Sequence, residues 1–261
     1  MIESLHSPHI ARVKALIGSK GAKERREQGL FIAEGLQCAR EAFTSKNGPR
    51  VKTVYVTELG MAKIAEFDFG STEVVEVSEA VMKAMSDTVS PQGIISLCYK
   101  PELDIASLKT TGNSRFIYLY QIQDPGNAGT ILRTADAMGI SAVITSPESV
   151  DMYSPKVVRS TAGSLWHVPI YEEISLSEIT TRFPQMQKFL LSSHAKTSIL
   201  DLAISGDCVA IFGNEARGVD AQTLGISVTE VTIPMAGRAE SLNLSAAASI
   251  VMFTLSTKVA G

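Results

Sequence analysis

The chain is expected to be an α/β protein made of two units in series, and three observations carry that expectation. Short β-branched or apolar runs alternate with segments of helical period from end to end. Residues 101–114, with Pro101, Gly112 and several polar side chains, have the composition of a linker. The strand candidates beyond the linker are almost wholly apolar, the pattern of a parallel sheet covered on both faces. The expected boundaries are 1–100 for a small α/β domain, 101–114 for the linker and 115–261 for a larger domain.

The first unit opens with a basic helix over 8–17, and a glycine-flanked charged segment, GAKERREQGLF, leads into Ile32 and Gly35. The next helix starts near Gly35, places Leu36, Ala39, Ala42 and Phe43 at helical spacing, and stops at Asn47-Gly48-Pro49. Strands follow at 51–56, 74–77 and 94–99, with helices around 61–65 and 79–85 between them. In the second unit the strand candidates are 116–122, 142–145, 189–191, 209–212 and 228–233, with helices between. Ligands of such sheets bind where strands end, so the loops there are the places to look for chemistry.

Size and composition bound the function classes. With 261 residues, 45% hydrophobic and 20% charged, the chain can bury a sizeable core. Its start carries Glu3 and no unbroken apolar stretch, and no later run is long enough to span a bilayer, so a cytoplasmic protein without a membrane partner is expected. Cys38, Cys98 and Cys208 are widely spaced among apolar neighbours, which predicts buried reduced thiols and neither a disulfide frame nor a metal site. The net charge is −3, yet residues 1–30 hold Arg12, Lys14, Lys20, Lys23, Arg25 and Arg26 against Glu3, Glu24 and Glu27. A local basic patch can sit on an acidic protein, but on the residues alone a solvated helix face is the favoured reading of the run.

Three strand ends carry unusual loops. The first is QDPGNAGTILRTADAMG, where Pro125-Gly126 breaks the strand, Asn127 is expected to cap a helix, and Ile131, Leu132, Ala135 and Met138 form its apolar side. Arg133 falls on another face and can point to the loop-side cleft. The second is GNEARGVD, in which Gly213 and Gly218 allow close backbone approach and Glu215 and Arg217 add opposite charges. Its glycine spacing mimics a phosphate loop, but Val219 and Asp220 stand where Lys and Ser/Thr are required, which disfavours a nucleotide triphosphatase. No G-x-G-x-x-G follows any strand either. The third, VTIPMAGRAESLNLSAAASI, stops a strand at Pro234, passes through Gly237, Arg238, Glu240, Ser241 and Asn243, and opens a helix rich in small residues. Ser241 and Asn243 can each cap that helix, and Ala246, Ala247 and Ala248 let it pack closely within the fold or across a subunit interface.

Asn127 with Arg133, then GNEARGV, then IPMAGRAESLNLSAAASI resemble, in order and separation, the three motifs of the SpoU (TrmH-like) RNA ribose 2′-O-methyltransferases of the SPOUT superfamily. KVVRSTAGSLWHVP at 156–169 is similar to that family's mid-domain segment, and KERREQGLFIAEG to the start of its substrate-binding domain. The resemblance implies a C-terminal SPOUT-type parallel sheet with a trefoil knot, preceded by a small ribosomal-protein-like α/β RNA-binding domain. It implies S-adenosylmethionine as cofactor, a homodimer, and an RNA substrate, with ribosomal RNA ahead of transfer RNA. A non-catalytic RNA-binding member of the fold is the competing expectation.

Carried onto this chain, the cofactor site would be lined by Ser192, Gly213, Asn214, Gly218, Ile233, Pro234, Met235, Leu242 and Leu244. Arg133 would be the catalytic group, with Asn127, Glu215, Ser241 and Asn243 orienting it and the ribose, and Lys23, Arg25 and Arg26 would contact RNA. A guanidinium has a pKa above about 12 and accepts no proton in ordinary circumstances. Arg133 would therefore work either as a transient neutral base beside a substrate phosphate or as a cation stabilising the developing alkoxide.

Overall fold

Ser7 accepts the His9 N–H and Pro8 takes the first helical position, so the first helix begins where its cap and its proline dictate. The computed structural model describes residues 1–258, and the last three residues of the expected second domain lie outside the described residues. In chain order the first elements are α1 (Pro8–Ile17), α2 (Gly21–Gln28), β1 (Leu30–Glu34), α3 (Leu36–Thr44), β2 (Val51–Val56), α4 (Glu58–Ile64), β3 (Glu73–Glu76), α5 (Glu79–Met85) and β4 (Ile94–Tyr99). Then come β5 (Arg115–Leu119), α6 (Pro125–Ala137), β6 (Ala142–Thr145), α7 (Pro155–Ser160), β7 (Ile170–Tyr171) and α8 (Leu176–Arg182). The chain continues through β8 (Gln187–Leu191), β9 (Thr197–Ser198), β10 (Cys208–Phe212), α9 (Ala221–Leu224), β11 (Thr229–Thr232) and α10 (Leu244–Thr257).

One compact unit comprises Met1–Glu102 together with Asp151–His167. Its sheet runs β1-β4-β2-β3, with β4 antiparallel to both neighbours and β2 parallel to β3. Ile10, Val13 and Leu16 of α1 and Val81, Met82 and Met85 of α5 cover Ile32, Tyr55, Ile95 and Leu97 on one face. Ala39 and Ile64 cover Val54, Val56 and Ile94 on the other. Strand β1 was not among the sequence expectations. Its residues Leu30 to Ala33 are all buried, so it lacks the alternation that marks a half-exposed strand.

The stretch Asp151–His167 was expected to lie in the second domain, yet it is packed as part of the first unit. Phe31 meets Tyr153 and Trp166 at ring-centroid distances of 5.0 and 6.3 Å. The Trp166 indole N–H donates to the Pro49 carbonyl at 2.9 Å, and Gly48 lies so close that a Cβ there would stand 2.5 Å from Trp166 Cδ1. Arg25, expected to contact RNA, belongs to this interior arrangement. It is only 4% exposed, its Nε donates to Asp151 Oδ2 at 2.7 Å, and its other arm donates to the Leu16 carbonyl. Gly21 and Arg25 are the buried residues of α2, one helical turn apart, and that spacing turns Arg25 inward. Lys23 remains exposed and pairs with Glu27 at 3.6 Å, and Arg26 is exposed as well.

The second unit comprises Leu103–Val150 and the residues from Val168 onward. Its seven strands are all parallel in the order β7-β6-β5-β10-β8-β11-β9. Phe116, Tyr118, Ile144, Leu190, Val209 and Ile211 form much of a core that Leu176 and Ile179 of α8 cover. Strand β5 ends at Leu119, short of the expected 122, because the following segment turns away: Gln121 has φ 50° and its N–H donates to Ser146 Oγ at 2.8 Å. All three cysteines are buried free thiols. Burial pushes the Cys38 and Cys208 thiols up to about 11 and Cys98 higher still. Among the described residues, no helix is long and apolar enough to cross a membrane, and no group of three His, Cys, Asp or Glu is placed to hold a metal ion.

Candidate active site

A cavity of about 470 Å³ opens in the second unit where Leu191, Phe212 and Thr232 mark the C-terminal ends of β8, β10 and β11. Its volume falls in the range of small-molecule sites, and its place at the carboxyl ends of parallel strands is where ligands of such sheets bind. The loops after those three strands form its walls, and Asn127 reaches it from α6.

The loop after β10 is held by its own polar groups. Asn214 is buried; its Oδ1 accepts the N–H groups of Ala216 and Arg217 at 3.0 and 3.1 Å, and its Nδ2 donates to the Gln121 carbonyl at 2.8 Å. The amide of Asn214 is therefore spent on shaping the loop. Gly218 adopts φ 61°, in the left-handed region, and its N–H returns to the Asn214 carbonyl at 2.8 Å. A Cβ on Gly213 would stand 2.6 Å from both Gly218 C and Val219 N, which are backbone atoms that cannot swing aside. Gly213→Val is expected to force this wall of the cavity open and abolish ligand binding there, with wild-type affinity in a calorimetric titration as the contrary result.

A continuous line of hydrogen bonds joins the three motif loops. Glu215 accepts the Asp124 N–H at 3.0 Å through Oε1 and the Gln123 N–H at 3.2 Å through Oε2. Asn127 Nδ2 donates to Glu215 Oε1 at 3.4 Å, and Asn127 Oδ1 accepts from Asn243 Nδ2 at 3.1 Å. Asn243 in turn caps α10, accepting from Ser245 N and Ala246 N at 2.9 and 3.4 Å. Two capping expectations change. Asp124 caps α6, accepting the Asn127 N–H at 2.7 Å, so Asn127 sits inside the first turn with its side chain available to bridge Glu215 and Asn243. Ser241 caps nothing and lines the cavity instead.

Of the residues expected around the cofactor, Ser192, Gly213, Asn214, Gly218, Ile233, Met235, Leu242 and Leu244 all line this cavity. Asn127, Glu215, Ser241 and Asn243, expected to act beside it, line it too. Pro234 does not: it is exposed, while its neighbours Ile233 and Met235 line the cavity. Arg133 does not either. It is exposed on α6, six residues beyond Asn127, with no ion pair or side-chain hydrogen bond among the described residues. Leu191, Ser193, Phe212, Thr232, Glu240 and Ala247 complete the lining. Phe212 and Leu191 were legible as the last residues of expected strands, whereas Glu240 offered only its place in a loop.

The lining contains Glu215 and Glu240 and no Lys, Arg or His. Beside it, α6 and α10 touch through Thr134 and Ser249, whose hydroxyls are 3.3 Å apart. The outward stripe of α10 consists of Ala246, Ile250, Phe253 and Thr257, all exposed; Phe253 alone is 58% exposed.

Residues 114–253 match the family model of the SpoU rRNA methylases, and residues 8–96 match that of an MRM3-like substrate-binding domain. A Bacillus subtilis protein named 23S rRNA (guanosine(2553)-2′-O)-methyltransferase is 30% identical over 236 residues, covering 89% of this chain and 91% of that protein. A Streptomyces viridochromogenes 23S rRNA (uridine(2479)-2′-O)-methyltransferase is 25% identical, over 92% of this chain and 86% of its own. The crystal structure of an AdoMet-bound rRNA methyltransferase from Sinorhizobium meliloti superposes with a TM-score of 0.84 at 28% identity, covering 100% of this chain and 98% of that one.

Proposed function

We propose that this chain, which belongs to the SpoU rRNA methylase family, transfers the methyl group of S-adenosylmethionine to a ribose 2′-hydroxyl of ribosomal RNA. The observation that carries the reading is the cavity at the ends of β8, β10 and β11, built by all three motif loops and lined by two carboxylates without a cation. S-adenosylmethionine supplies an electrophilic methyl group on a positively charged sulfur. A wall bearing Glu215 and Glu240 suits a ligand with positive charge at its sulfonium and amino group. Ile233, Met235, Leu242 and Leu244 give the same cavity apolar surface for an adenine ring.

A ribose hydroxyl is a weak nucleophile at neutral pH, so the protein must lower the cost of charge on its oxygen. In this reading Arg133 stays cationic, holds a neighbouring phosphate and stabilises the developing alkoxide. The 2′-oxygen gives up its proton to water as the new C–O bond forms, and the electrons of the breaking C–S bond remain on sulfur. Ser241 presents its hydroxyl to the ribose and Asn243 the one amide hydrogen not given to Asn127, and the Glu215–Asn127–Asn243 line keeps the three loops in register.

Arg133 lies outside the cavity of its own chain, and the exposed Ile250–Phe253 stripe runs along the helix beside it. These two facts support a homodimer in which α10 packs against its counterpart and each Arg133 serves the partner's cavity. A trefoil knot belongs to the same reading, with the loops after β10 and β11 threaded at the cavity and the small residues of α10 permitting the close passage. The reading is completed by a cytoplasmic location and by ribosomal RNA bound through the N-terminal unit. The test is calorimetric titration with S-adenosylmethionine, followed by transfer of a tritiated methyl group to ribosomal RNA from a strain lacking the gene. Saturable binding and one newly labelled ribose are expected; neither binding nor label would sink the proposal.

A further inference from the structure

Tyr99, the last residue of β4, is 43% exposed at the end of an otherwise buried strand. Two cations attend it. Arg50 Cζ lies 5.7 Å and Lys52 Nζ 5.6 Å from the ring centroid. Backbone pairing holds the arrangement together: the Tyr99 N–H donates to the Arg50 carbonyl at 2.9 Å, and the next residue, Lys100, donates its N–H to the Gly29 carbonyl at 2.8 Å. Neither Arg50 nor Lys52 forms an ion pair with any carboxylate among the described residues. Glu73, in register with Thr53 on the adjoining strand, already accepts the Thr53 hydroxyl at 2.9 Å. The strand shifts register between Val51 and Thr53, and that irregularity lies at Lys52.

We infer that Tyr99, flanked by Arg50 and Lys52, is a base-stacking platform for a single-stranded segment of RNA. The inference rests on the RNA-modifying reading above and gives the N-terminal unit a specific contact surface. Every base has a π-face that can lie on a tyrosine, and a base that stacks there takes the place of the two cations over the ring, which then meet the phosphates on either side of it. A polyanion without bases would use the cations and leave the ring unused, so stacking and plain charge attraction can be told apart. This surface replaces Arg25, whose guanidinium is committed to Asp151, as the place where the first unit meets RNA.

The experiment uses the full chain and a fluorescein-labelled single-stranded RNA of about ten nucleotides, a length within the usual single-strand site size. Binding is read by fluorescence anisotropy over a range of salt, and heparin serves as the base-free polyanion. Tyr99→Ala is expected to weaken RNA binding about tenfold and heparin binding hardly at all, while Tyr99→Trp retains RNA affinity. The Arg50→Ala, Lys52→Ala double variant is expected to lower the slope of log affinity against log salt by about 1.4, the value for two phosphates on a single strand. Thermal melts establish that each variant is folded, and Tyr99→Leu, which keeps bulk without a π-face, replaces the alanine variant if that one is not, with the same loss of RNA affinity expected and unchanged affinity overturning the platform. Unchanged RNA affinity in folded Tyr99→Ala, equal losses for RNA and heparin, or loss in Tyr99→Trp overturns the platform. Methyl transfer by the wild type is measured in parallel. Transfer with an inert Tyr99 removes the platform alone, and stacking without transfer removes the catalytic reading alone.

Discussion

Arg133→Ala is expected to leave S-adenosylmethionine affinity within about twofold of wild type and to reduce methyl transfer by at least about a hundredfold, the usual effect of removing one charge-stabilising group. The first half of that expectation follows from position: Arg133 does not line the cavity, so its loss removes no wall. The second follows from charge. The cavity wall brings two carboxylates and no cation to a step that places negative charge on oxygen, and Arg133 is an exposed guanidinium on the helix whose first turn enters that cavity. Single-turnover transfer and calorimetry separate the two effects. Equal activity of variant and wild type would sink the mechanism, and lost cofactor affinity would make Arg133 a structural residue. Co-expression supplies a stricter check. In a dimer with shared sites, Arg133→Ala and Gly213→Val chains complement each other, because each heterodimer has one site with an intact cavity and an intact arginine. Random pairing then restores about a quarter of wild-type activity, whereas sites completed within one chain give none.

The loops that build the cavity were legible because polar loops at strand ends stand out against apolar runs. The strands at 51–56, 94–99 and 142–145 coincide with β2, β4 and β6, each a β-branched run with clear stops. Strands β7 and β9 have two residues each, too few to leave a pattern of their own; they are strands only because β6 and β11 recruit them. The capping of α6 was misassigned by three residues because Asp124 and Asn127 are equally good caps on composition, and Pro125 at the first helical position settles the matter in favour of Asp124. Exclusion of Arg133 and Pro234 from the cavity was not readable at all. A motif fixes which residues recur together, whereas the direction a side chain takes depends on tertiary neighbours far away in sequence.

Arg25 shows the same limit with the larger energetic consequence. In sequence it is one of a run of cations, and a helix of such composition reads as a solvated face. In the folded unit it is the side chain that fastens Asp151, a residue 126 positions away, and it also satisfies the last-turn carbonyl of Leu16. Arg25→Ala is expected to cost about 3 kcal/mol of folding stability, the lower end for a buried ion pair deprived of one partner, because the Asp151 side chain keeps some solvent contact. Lys23→Ala, which removes an exposed pair with Glu27, is expected to change stability by no more than about 0.5 kcal/mol. Urea denaturation of both variants measures the difference. The double variant Arg25→Met, Asp151→Leu recovers much of the loss if the cost arises from the orphaned carboxylate, since a buried pair can often be replaced by apolar groups of similar size. Salt dependence of RNA binding supplies the opposing reading. A folded Arg25→Ala chain with wild-type stability and a flatter salt slope would return Arg25 to the RNA surface, whereas lost stability with an unchanged slope places its work inside the protein.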